Sequence, residues 1–366
     1  MLNSNTFQPN WTSSPGDTII DILQEKDITL DRFAVQMGTS KEFIEKLIGG
    51  DKEITEEISE KLAMVLGASV DFWLRREFQY REDLVRLKRV EETSWLKLLP
   101  IADMVKFGWI KSEVAKNVSA LLGYFGVDSI TEWHLKYEAE MAQVSFRTSS
   151  KYKQQPAAVA AWLRYGEIQS QDIVCKDWNP ELFRATLPEI KKLTRVKDPV
   201  EFLPKLADLC ANCGVAIAIA RTPNGCQASG VTKFLTSERA LIMLSFRYMK
   251  DDHFWFTFFH EAGHLLLHGI KCVFVEEIGK GRLISQEEEE ANNFAADQLV
   301  PEALRSRMMK IAISNKRSII GFAAEAGVSP GIIVGQLQHA GRIEYGRLNT
   351  YKRKYSWENM PTNFNP

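Results

Sequence analysis

Over residues 1–80 the apolar positions recur at three- and four-residue spacing and are broken by turn residues, which predicts five short helices. Pro15-Gly16-Asp17 opens the first, which carries Ile19, Ile20, Ile22 and Leu23; Thr29 opens the second, with Leu30, Phe33, Ala34 and Met37. Gly38-Thr39-Ser40 is a tight break. Thr39 and Glu42 then have capping-box spacing and start a third helix presenting Phe43, Ile44, Leu47 and Ile48, which Gly49-Gly50 ends. Residues 55–66 and 69–80 follow as a fourth and fifth. Two short helices joined by a glycine-containing turn form a helix-turn-helix pattern, in which residues 40–48 would lie in a DNA major groove.

Residues 81–200 read as mostly helical, with Trp95, Trp109, Trp133 and Trp162 as core anchors and a loop over residues 148–156. Two apolar runs bounded by turn residues, 215–220 and 240–245, predict strands of a small sheet. An exposed edge of that sheet would accept an extended peptide as an added strand. The strongly apolar stretch from Phe254 to Leu267 predicts a buried helix, and it contains a polar cluster that requires a reason.

That cluster is His260-Glu261-Ala262-Gly263-His264. Histidines four apart project from one helical face and can share a Zn²⁺, while Glu261, turned roughly 100° around the axis, can act as a base toward a water there. A third ligand is expected from the acidic run after Ser285, where Ser285 and Glu288 have capping-box spacing and the first acids offset the helix dipole. Glu290 shares a face with Phe294 and borders Ala291 and Ala295, so the expectation favours Glu290 as the ligand over Glu287. His268, one turn beyond His264, is either a partner of the ligands or a histidine at a helix end. His339 is a weaker candidate for an oxyanion donor.

Composition narrows the class without changing it. With 45% hydrophobic and 25% charged residues in 366, the chain reads as globular, with two or three domains. No apolar run approaches a membrane span and the first residues lack a signal-peptide pattern, so a cytoplasmic location and no membrane partner are expected. Five cysteines make no disulfide framework, and Cys210-Ala211-Asn212-Cys213 reads as packed thiols at a helix end. The net charge of −1 conceals an asymmetry: residues 17–79 hold 14 acids and 8 bases, residues 301–357 hold 3 acids and 10 bases. The basic end either contacts nucleic acid or packs on the metal-binding part through Ile319, Ile320, Phe322, Ile332, Ile333 and Leu337; that apolar spacing favours packing.

Two resemblances add to this reading. Pro15-Gly16, Leu30-x-x-Phe33-Ala34, Met37-Gly38-Thr39-Ser40, Gly49-Gly50, Ile54-Thr55, Leu62-Ala63, Leu66-Gly67 and Phe72-Trp73-Leu74 resemble the XRE-type helix-turn-helix domains of HigA-like antitoxins. From about residue 140 onward the chain resembles the ImmA/IrrE family of zinc metallo-endopeptidases. The residues that carry this are Ala160-Ala161-Trp162-Leu163-Arg164-x-Gly166-Glu167, Cys213-Gly214-Val215, the aromatic run into His260-Glu261-Ala262-Gly263-His264, Glu290-Ala291-Asn292-x-Phe294-Ala295, Pro301 and Ser329-Pro330-Gly331-Ile332-Ile333-Val334. The resemblance implies zinc on His260, His264 and Glu290, with Glu261 as catalytic acid and base. Thermolysin-type proteases place an orienting acid where this chain has Phe294, and Asp297 is the candidate replacement.

The expected architecture is α+β: an all-α helix-turn-helix domain (1–80), a helical connecting region (81–200) and a zincin-like peptidase domain with a small sheet (201–366). The implied function is regulatory cleavage of one protein (a repressor, an antitoxin or the chain itself), as in stress or phage responses. Operator DNA would be contacted through Thr39, Ser40, Lys41 and Lys46. Because Lys41 and Lys46 are interleaved with Glu42 and Glu45, DNA binding is expected to need a homodimer. The alternatives are a HigA-like repressor whose peptidase domain only senses, and a zinc-stabilised scaffold.

Overall fold

The computed structural model describes residues 9–138, 155–269, 274–275 (backbone), 286–361 and 364. Ser285, and with it the expected capping box on Glu288, lies outside the described residues, as does most of the expected 148–156 loop. The chain forms two compact units that divide between Trp95 and Leu96.

The first unit contains the predicted helices α1 (Pro15–Glu25), α2 (Leu30–Met37), α3 (Lys41–Ile48) and α4 (Glu56–Leu66) and all but the last three residues of α5 (Val70–Leu98). Each of the first four starts at a side chain that accepts a backbone N–H: Ser14 from Asp17 (3.1 Å), Thr29 from Arg32 (3.3 Å), Ser40 from Phe43 (3.2 Å) and Thr55 from Ile58 (3.4 Å). The cap of α3 is therefore Ser40, one residue later than the Thr39/Glu42 spacing implies. Phe33, Ile44, Leu62 and Trp73 are sealed in the core of this unit. The fifth helix runs well past the expected end at residue 80. Ion pairs Arg81–Glu77 (2.5 Å) and Arg86–Asp83 (2.9 Å) support the extension, and neither Gly nor Pro interrupts it before Pro100.

The second unit is α+β. Its sheet has the strand order β1-β3-β2-β4, with β1 at Val215–Ile219, β2 at Gly230–Thr236, β3 at Arg239–Leu244 and the two-residue β4 at Phe274–Val275. β1 and β3 coincide with the two predicted strands and pair in parallel, Val215 opposite Ala240 and Ile219 opposite Leu244. β2, which the sequence reading missed, pairs antiparallel with β3, and β4 pairs with β2 at Val231 and Thr232. The edge of β2 is thus occupied at Val231 and Thr232 by β4. Trp109, Trp133 and Trp162 are buried, as is Trp95 at the end of the first unit. Cys210 and Cys213 are buried thiols, and burial raises the pKa of Cys210 well above the ordinary range.

The histidine-bearing helix, Asp251–Leu267, packs on β2 and β3 and is buried along nearly its whole length. Its N-terminus is held from the far end of the chain. Asp251 accepts hydrogen bonds from Ser329 Oγ (2.7 Å) and from the backbone N–H of Arg353 (3.0 Å), and Asp252 pairs with the buried Lys352 at 2.5 Å. Negative charge at this end of a helix is favourable. Arg353 donates to the carbonyls of Thr194 (2.9 Å), Arg195 (2.8 Å) and Val196 (2.7 Å), which follow the helix Pro180–Leu193. Lys352 and Arg353 are therefore committed inside the unit. Ile319, Phe322, Ile332, Ile333 and Leu337 are buried, whereas Ile320 is exposed, so the basic end packs as its apolar spacing suggests. No single helix among the described residues is long and apolar enough to cross a membrane.

Burial raises the pKa of Asp251 to about 6, against the smaller opposing effect of the Ser329 hydrogen bond. The folded chain thus keeps a proton that the unfolded chain loses near pH 4. The associated stability is complete below pH 4 and is lost as pH rises through about 6, on the order of 2–3 kcal/mol. Asp251→Asn can keep all the contacts by donating to Ser329 instead. Urea titrations between pH 4 and 7 should show a flatter stability profile for Asp251→Asn than for the parent chain; parallel profiles would contradict the assignment.

Candidate metal centre

Three side chains converge on the buried face of the Asp251–Leu267 helix. His260 Nε2 and His264 Nε2 are 2.9 Å apart, and Glu288 on the helix Gln286–Leu299 brings Oε2 to 3.4 Å from the first and Oε1 to 3.5 Å from the second. These are the residues that can hold a metal ion among those described. Donors bound at about 2.0–2.1 Å around a tetrahedral zinc stand about 3.3 Å apart, so two imidazoles and a carboxylate at these separations fit such an ion.

The third position departs from the expectation. Glu290 turns outward, its side chain 45% exposed, and meets His268 Nε2 at 3.1 Å instead of the histidine pair. Glu287 is half-buried on the same helix and is not in the converging group. The cause is helical phase: Ala291, Ala295 and Leu299 are the buried positions of this helix, and Glu288 lies one turn before Ala291. Glu290, next to Ala291 in sequence, is rotated about 100° away.

The rings are oriented by Asn292, which the sequence reading did not assign, and by His268, for which the partner alternative holds. His260 Nδ1 lies 3.1 Å from Asn292 Oδ1, and His264 Nδ1 lies 3.0 Å from His268 Nδ1. Asp297 is instead ion-paired with Arg305 at 2.6 Å. Asn292 had a legible signal, standing four residues after Glu288 on the same face. His339 is exposed and its ring packs 6.4 Å from that of Phe256.

Glu261 is fully buried. Thr232 Oγ1 donates to its Oε2 at 2.7 Å, so the missed strand β2 is what fixes this carboxylate. Gly230 on the same strand leaves the room: a Cβ there would stand 2.6 Å from Glu261 Oε1. Burial lowers the pKa of His264 to about 4, against a hydrogen bond with Glu288, and so keeps the ring neutral at physiological pH, as a metal ligand must be. Burial alone would raise the pKa of Glu288, but hydrogen bonds from His260 and His264 outweigh it and hold the carboxyl well below its usual range.

In the first unit, Ser40 and the two lysines are exposed and Thr39 is half-buried. Lys41 pairs with Asp31 at 3.0 Å and Lys46 with Glu42 at 2.7 Å, so nearby acids offset both charges.

Fold and site together define a helix-turn-helix unit joined to an α+β unit with a metallopeptidase-like His/Glu centre. Residues 222–337 match the family of IrrE N-terminal-like domains, a span that includes both histidines, Glu261 and Glu288. The uncharacterized HTH-type transcriptional regulator YddM of Escherichia coli strain K12 is 31% identical over 83 residues, which make up 21% of this chain and 88% of that protein. The chain belongs to the HTH-type regulators through this match, and it carries an IrrE N-terminal-like domain.

The geometry orders the ligands by effect. Zinc titration with a chromophoric chelator as competitor should give about one metal per chain, abolished by His260→Ala or His264→Ala. Glu288→Ala should weaken binding far more than Glu287→Ala or Glu290→Ala; the reverse ranking would return the third position to one of those residues.

Proposed function

We propose that the second unit is a zinc-dependent endopeptidase that acts in the cytoplasm on one specific protein, a repressor, an antitoxin or this chain itself, and that the helix-turn-helix unit ties it to transcription. The carrying observation is the convergence of His260, His264 and Glu288 beside a buried Glu261. A zinc ion, when bound there, supplies Lewis acidity toward a peptide carbonyl and lowers the pKa of a water. The protein's own residues do the rest. Glu261, one residue after a ligand, accepts the proton of the attacking water and returns it to the leaving amine. Thr232 keeps that carboxylate in one rotamer, and Asn292 and His268 set the imidazole planes.

DNA contact is assigned to Thr39, Ser40, Lys41 and Lys46. The Ser40 hydroxyl is engaged as the cap of α3, and each lysine must exchange an acid partner for a phosphate, so one unit alone has a weak electrostatic grip. A homodimer doubles the contacts and matches the half-site geometry of helix-turn-helix proteins.

Cleavage is tested by incubating the purified, zinc-loaded chain with the products of neighbouring genes, and by itself. Glu261→Gln should keep its metal and lose at least about a thousandfold in rate. A chain that holds zinc and cleaves nothing in this set, while binding its operator, would favour the repressor with a sensory domain. For DNA, Lys41→Ala/Lys46→Ala in the full chain should reduce the slope of log affinity against log salt by about two per monomer. An unchanged slope would remove these lysines from the interface.

A further inference from the structure

Glu290, His268 and His264 form a chain of contacts leading from the surface to the metal centre. His264 turns Nε2 toward His260 and Glu288, which leaves Nδ1 facing His268 Nδ1 at 3.0 Å. His268 Nε2 faces Glu290 Oε2 at 3.1 Å, and Glu290 Oε1 accepts from Gln286 Nε2 at 2.8 Å. The contacts allow one arrangement of protons once His264 is a ligand. Its Nε2 must present a lone pair, so its ring proton sits on Nδ1 and is donated to His268 Nδ1. The proton of His268 then sits on Nε2 and is donated to the Glu290 carboxylate, which can only accept. With His268 in the other tautomer, two N–H groups would face each other and the carboxylate would lose its donor.

We propose that Glu290 and His268 are positioning residues: the surface carboxylate fixes the tautomer of His268, which fixes the tautomer and ring plane of His264 and so its metal-facing nitrogen. The relay rests on the reading of His260, His264 and Glu288 as metal ligands. It gives the two histidine ligands unlike supports, a neutral amide from Asn292 behind His260 and a carboxylate-terminated relay behind His264. A carboxylate at the end of such a chain raises the basicity of the ligand ring as well as orienting it. It also accounts for Glu290, which lies beside the centre with its side chain 45% exposed.

The test uses the intact chain, with zinc affinity read by chelator competition and ring tautomers read by long-range ¹H–¹⁵N correlation of the zinc-loaded protein. Glu290→Ala and His268→Phe should each weaken zinc binding about ten- to a hundredfold. Glu290→Gln, whose side-chain oxygen still accepts from His268, should recover most of that loss, and the double variant His268→Phe/Glu290→Ala should be no weaker than His268→Phe alone. In Glu290→Ala the His268 Nε2–H loses its carboxylate acceptor, so its ¹H and ¹⁵N resonances should shift away from those of the parent chain. Because Glu290 is a surface residue, the Ala/Gln pair carries the test even where His268→Phe does not fold. Unchanged affinity in Glu290→Ala, or additive losses in the double variant, would overturn the relay while leaving the metal centre standing. A parent chain that takes up no metal would overturn both.

Discussion

The close contact between the Asp251–Leu267 and Gln286–Leu299 helices is the constraint on which the metal centre depends. A Cβ on Gly263 would lie 3.3 Å from Ala291 Cα and 3.0 Å from Phe294 Cδ1, so a side chain there would have to displace its neighbours by a few tenths of an ångström, and glycine lets the two helices pack closely. Ala291 and Ala295 present small side chains to the same seam and are fully buried. Helical side chains lean toward the N-terminus of their helix. Glu288, one turn before Ala291, therefore leans along the seam and reaches both histidines. A wider separation would leave two imidazoles without their carboxylate.

The histidine-bearing helix is fixed on its other sides by polar groups buried in pairs. Thr232 ties Glu261 to the sheet, and Asp251 and Asp252 tie the N-terminus to Ser329, Lys352 and Arg353. Each of these groups would be costly to bury alone. Their partners lie far away in sequence, which makes the centre a product of the whole second unit. The same bonds commit Lys352 and Arg353, so the charge count over residues 301–357 overstates the charge available to a partner.

Much of this was legible in the sequence because it is local. Helix starts follow from single capping residues, and the α3 start was misread by one position because Thr39 and Ser40 both satisfy the cap chemistry. The histidine pair and Glu261 are spaced within one helical turn and need no tertiary information. Glu288 was lost among four consecutive acids that all suit a helix N-terminus. Glu290 shares its face with Phe294, which is only half-buried, and diverges by about 100° from Ala291 on the buried face. β2 was missed because Thr232, Lys233 and Thr236 interrupt its apolar character, yet Thr232 is buried against Glu261. Asn292 acts on His260 through a contact that only the helix pairing reveals, whereas His268 reaches His264 by the spacing of one helical turn.

The ligand set is the central claim, and zinc K-edge X-ray absorption on the metal-loaded chain, recorded for the parent and for Glu288→Gln, tests it most directly. The account predicts a shell of two imidazole nitrogens with light oxygen donors at about 2.0–2.1 Å and no sulfur. It also predicts that this shell changes, or the metal is lost, in Glu288→Gln. A sulfur in the shell, or a spectrum indifferent to Glu288, would contradict it.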